Sequence, residues 1–157
     1  MASAESPPHP LIRIGCLLLA AVAGEVGVWA AFFPRNFYLH FPGAKHAWVS
    51  ADGPYNQHLV RDVGSLNLAL VVLVFAALFV GTRTLARVAM VAWLVNAVPH
   101  FVYHLGHLKM DMTGGDKFAL IATLGFAVVA PIVVLVWTGN ARTPALPREP
   151  QPHTVAV

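Results

Sequence analysis

At 157 residues the chain is one domain's worth of sequence, 57% hydrophobic and only 11% charged, where soluble domains carry about 25% charge. That composition leaves too little polar surface for a water-soluble fold. The ten Lys and Arg behind the net charge of +3 stand singly, so no basic patch exists that could track nucleic-acid phosphates. The lone Cys16 excludes an intramolecular disulfide and a cysteine-based metal cage.

Residues 1–10 contain Pro7, Pro8 and Pro10 and no apolar face, which predicts a disordered tail. Four apolar runs follow, at about 11–33, 54–80, 85–108 and 118–138. Each is long enough to cross a bilayer, and a crossing segment must satisfy its own backbone, so each is predicted as helix. The first run carries Glu25 and ends in Phe32-Phe33-Pro34, features of an uncleaved helix rather than a signal peptide. Ala20, Gly24 and Val28 form one line along it at four-residue spacing, and Ala23, Gly27 and Ala31 another. Small residues on such lines let helices approach closely in lipid.

The connection from Pro34 to Gly53 holds Phe37, Tyr38, Phe41 and Trp48. It suits a segment lying at headgroup level, with a small outer cap as the competing description. Asp52-Gly53-Pro54 predicts a helix start with Asp52 at the N-cap and Pro54 in the first position. The short Gly81–Thr84 link makes an antiparallel hairpin of the second and third helices. Pro99 and Pro131 predict local kinks. Gly114-Gly115 reads as a turn before the fourth helix, capped by Asp116. Residues 139–157, with Pro144, Pro147, Pro150 and Pro152, read as a second disordered tail. The predicted fold class is all-α: an antiparallel four-helix bundle that passes the membrane four times.

Both termini then share one side with the Gly81–Thr84 turn. That side holds Arg13, Arg83, Arg87, Arg142 and Arg148, and the other holds Arg35, Lys45, Lys109 and Lys117, with Arg61 just inside the second helix. Arg83 and Arg87 at the tight turn, with Asp52, Asp111 and Asp116 opposite, favour cytoplasmic termini in an inner (plasma) membrane.

Ionisable side chains inside a bilayer are expensive and mark functional candidates. Glu25 lies eight residues before Phe33, Asp62 eight after Pro54, and His100 seven before His107. At about 1.5 Å per residue, all three fall roughly 10–12 Å below one surface. Tyr55, His58, Arg61, Asp62 and Ser65 share a stripe of the second helix. Trp93, Asn96, His100, Tyr103, His104 and His107 share an arc of roughly 100° on the third. His58 and Asp62 are four residues apart, as are His100 and His104, so each pair can aim at one atom. Imidazoles with carboxylates suit a transition metal such as Fe, Cu or Zn, and paired histidines suit haem b. The expected metal ligands are Glu25, His58, Asp62, His100 and His104, with Arg61, Asn96 and Tyr103 around them. The bland alternative satisfies each histidine through a neighbouring carbonyl and pairs Glu25 with Arg61. His40, His46 and His107 fit that description best. No Glu-x-x-His, His-Glu-x-x-His or phosphate-loop motif occurs, so the usual di-iron bundle, metalloprotease and nucleotide signatures are missing.

The stretch GPYNQHLVRDVGSLNLAL, residues 53–70, and more weakly PHFVYHLGH, residues 99–107, resemble phrases found in small four-helix membrane proteins of actinobacteria. The general layout is similar to the DoxX-like group of four-span bacterial membrane proteins. The resemblance implies a bundle in a bacterial inner membrane and implies no activity or site residue. Three functional readings stay open: a metal or haem pocket for redox chemistry, with a membrane oxidoreductase as the enzyme class; a transporter or proton-relay accessory subunit; and a scaffold within a homo-oligomer or membrane complex.

Overall fold

The computed structural model describes residues 10–108 and 112–140. Six helices follow in chain order: α1 (Pro10–Phe32), α2 (Pro34–His40), α3 (Trp48–Asp52), α4 (Gln57–Val80), α5 (Arg83–Gly106) and α6 (Gly114–Asn140). There is no strand among the described residues. α1, α4, α5 and α6 are long and apolar enough to cross a membrane. At about 1.5 Å per residue a 24-residue helix runs about 36 Å, against about 30 Å of hydrocarbon, so its ends reach the headgroups. Both predicted tails fall mainly on residues 1–9 and 141–157, outside the described residues, as do Lys109 to Asp111. Pro10 opens α1, and α6 runs on to Asn140.

α1 packs on α4, α4 on α5, and α5 on α6, with a lighter α1–α6 contact closing the ring. Leu19, Ala23, Val74, Met90, Trp93 and Val134 fill its axis. Because lipid is as apolar as this core, close backbone approach must hold the helices together. Gly64 of α4 shows where. A Cβ there would lie 2.8 Å from the Ala31 Cα and 2.9 Å from the Ala30 carbonyl carbon, and one on Gly27 would lie 2.9 Å from the Leu68 side chain. The Ala23-Gly27-Ala31 line is therefore the one that meets α4. Gly24 on the other line only touches Val71, at 4.0 Å.

At the turn end, Gly81 takes φ 72° and the Thr82 side chain accepts from the Leu85 N–H, opening α5. Arg87 Nη2 donates to the Thr138 carbonyl over 2.6 Å, placing a cation on the C-terminal carbonyls of α6. α5 and α6 run on through Pro99 and Pro131.

Two predicted starts move. The second spanning helix begins at Gln57, because the Asn56 side chain accepts from the Leu59 N–H at 3.1 Å. Asp52 is therefore not its cap, and residues 54–56 are not helical. The fourth begins at Gly114, since Thr113 Oγ1 accepts from the Asp116 N–H and donates to the Asp116 carboxylate. That reciprocal pair makes Thr113 the cap and takes both glycines into the first turn.

At the opposite end from Gly81, residues 34–56 fold into a small cap. Gly43, Ala44 and Lys45 all take positive φ, turning the chain so that the Trp48 N–H donates back to the Phe41 carbonyl at 2.9 Å. Trp29, Phe37, Phe41 and Trp48 stack edge to face beneath it. The Tyr38 hydroxyl donates to the Gly53 carbonyl at 2.7 Å.

Candidate functional site

Bonds at two carboxylates fix the cap to the far half of the bundle. Trp48 Nε1 donates to Asp116 Oδ1 at 2.9 Å, joined there by His46 Nδ1 at 2.7 Å. The Tyr103 hydroxyl of α5 donates to Asp52 Oδ1 at 3.2 Å. Asp52 ends α3, and the Tyr103 ring that holds it also meets the rings of His104 and His107. The last two turns of α5 thus meet a carboxylate supplied by the cap.

The rings along that face of α5 are in unbroken contact. His100 meets His104 edge to face with centroids 4.7 Å apart, and His104 meets Tyr103 at 5.3 Å. Tyr103 stacks on His107 at 4.0 Å and 19°. His107 Nδ1 lies 2.7 Å from the Tyr103 carbonyl. A carbonyl only accepts, so Nδ1 carries the proton of that bond. His104 Nδ1 is enclosed and has no hydrogen-bond partner among the described residues. His100, Tyr103 and His107 are exposed along the side of the monomer, with His104 half-buried between them. From Gly106 back to His100 the string descends about 9 Å. Pro99 has no N–H for the Val95 carbonyl, and the half-buried Asn96 lies below it.

The sequence-derived constellation divides in two. His58 Nδ1 and Asp62 Oδ2 pair with each other at 2.7 Å, with side chains 85% and 60% exposed. They point out of the bundle because Gly64 points in. Asp62 is two residues from both Val60 and Gly64, about 160° round the helix from each. Arg61 does not pair with Glu25. Its Nη1 donates to the Ala31 carbonyl at 2.9 Å, and Glu25 is exposed on α1 with no hydrogen bond or ion pair among the described residues. Among the described residues no three His, Cys, Asp or Glu side chains are grouped so that one ion could take them all. Glu25, His58 and Asp62 therefore do not join His100 and His104.

Sequence reasoning missed Asp52 and Asp116 as partners because both sit where a helix cap fits. The available signal was competition for the role, since Asn56 and Thr113 are capping residues as well. It also set His46 aside as interfacial, although His46 and Trp48 are spaced to reach one acceptor. In comparisons with protein-family models, with curated proteins and with solved structures, nothing matches this chain.

Proposed function

We propose that this multi-pass membrane protein handles protons at its capped end, as a relay subunit serving a membrane partner. The observation that carries the reading is the unbroken run His107–Tyr103–His104–His100 with Asp52 beside it. Imidazole is the side chain whose charge changes near neutral pH, and ionisable groups at membrane depth are the usual stuff of proton relays. His107 takes up a proton at the surface, water between the rings carries it on to His104 and His100, and the Asp52 carboxylate balances the charge. Below Asn96 the helices of one copy are oily, so the proton leaves sideways. The exposure of His100 and Tyr103 on the flank of α5 suits a second membrane protein or a second copy as recipient. Arg83 and Arg87 at the turn support cytoplasmic termini, with the cap outside an inner membrane.

Counting protons tests this. Protein in nanodiscs is titrated from pH 8 to 5, the interval in which imidazoles change charge, and uptake is compared with that of the His100→Ala/His104→Ala variant. The expected result is a smaller proton uptake per chain in the variant. Equal uptake by both proteins would remove the relay. An equimolar transition metal, retained without chelator and lost in His100→Ala, would replace it with a metal centre on the same pair.

A further inference from the structure

The outward-facing stripe of α4 carries charges that the relay does not use. Gln57, His58, Arg61 and Asp62 line a shallow, open groove on the outside of the bundle. Its depth is set by the other end of the helix. About 20 residues span the hydrocarbon, and counting back from Val80 places the boundary near Arg61. The groove therefore lies where phosphates and headgroup amines stand.

Its chemistry is that of a zwitterion. Arg61 uses one of its five N–H donors on the Ala31 carbonyl, which anchors the guanidinium and leaves the others for an anion. Asp62 gives one oxygen to His58 Nδ1, and its second oxygen still accepts. The two charged groups are neighbours in sequence and share the groove, so cation and anion sites stand side by side. We infer that this groove binds a phosphoethanolamine group, with the phosphate on Arg61 and Gln57 and the primary ammonium on Asp62. A choline group cannot donate a hydrogen bond to Asp62, and a phosphatidylglycerol headgroup brings no cation to it. The same ester reaches the site from a phosphatidylethanolamine bilayer or as free phosphoethanolamine.

The test uses the full chain in nanodiscs of phosphatidylcholine alone or with phosphatidylethanolamine or phosphatidylglycerol, with retained lipid counted by native mass spectrometry. Wild type is expected to retain phosphatidylethanolamine over phosphatidylcholine by about fivefold, the scale of one exposed ion pair. Asp62→Asn is expected to fold normally, being at an exposed position, and to lose that preference. Arg61→Gln is expected to retain neither lipid specifically. Free phosphoethanolamine is added to phosphatidylcholine discs as a separate arm. Thermal stabilisation there without lipid preference assigns the site to the soluble ester. No preference between lipids and no response to the free ester overturns the inference, as does a preference that survives in Asp62→Asn.

Discussion

α4 and α5 each carry a pair of titratable side chains four residues apart near the capped end, His58 with Asp62 and His100 with His104. The first pair closes on itself, Nδ1 to Oδ2 at 2.7 Å, and faces out of the bundle. The second meets edge to face, leaves the enclosed His104 Nδ1 without a partner among the described residues, and sits beside a carboxylate brought by the cap. Identical spacing thus gives a self-contained ion pair in one place and an open, coupled group in the other. What separates them is the opposite side of each helix. Gly64 forces one face of α4 against Ala31 and turns His58 and Asp62 outward. On α5, the buried Trp93 and Ala97 face the core, and His100 and His104 lie toward the rim where Asp52 arrives.

Each half of that contrast can be altered separately. Gly64→Val is expected to have the largest effect, because its side chain would meet Ala31 backbone, which cannot swing away. A loss of about 3 kcal/mol is expected for such overpacking, read as the fall in unfolding midpoint in mild detergent. Gly24→Ala, with only Val71 at 4.0 Å, is expected to be neutral in the same assay. Asp116→Ala removes the acceptor shared by Trp48, His46 and Thr113. The expected outcome is a cap that is cut in residues 34–56 by limited proteolysis, with Trp48 emission shifted to the red. Asp52→Ala and Tyr103→Phe break the same bond, so the double variant is expected to be no less stable than either single one. Additive losses would mean that Asp52 and Tyr103 act independently. His58→Ala is expected to change stability by no more than about 0.5 kcal/mol, as exposed pairs one turn apart on a helix do.

The four spanning helices were legible because twenty apolar residues in a row have few alternatives. The cap was legible only as an aromatic-rich connection. Of its two short helices, α2 packs on α1 and α4, and α3 is bonded to α5 and α6, so local pattern carried little of them. The starts of α4 and α6 were misplaced where two capping residues compete a few positions apart: Asp52 with Asn56, and Thr113 with Asp116. The grouping of residues on one stripe followed from counting. The stripe's direction did not. The periodicity of α4 gives His58, Arg61, Asp62 and Ser65 one face, and only the close approach at Gly64 says that this face is outside. The glycine was visible in the same stretch, two residues after Asp62. Read as a contact point, it would have separated Asp62 from His100.

The most direct measurement is a ¹⁵N-histidine NMR titration of the protein in nanodiscs, repeated in His104→Ala and in His58→Ala. The relay requires His100 and His104 to titrate as a coupled pair, so the His100 curve is expected to move in His104→Ala and to stay in place in His58→Ala. A His100 curve unaltered by the loss of His104, or a His100 that stays in one charge state from pH 5 to 8, would contradict the account.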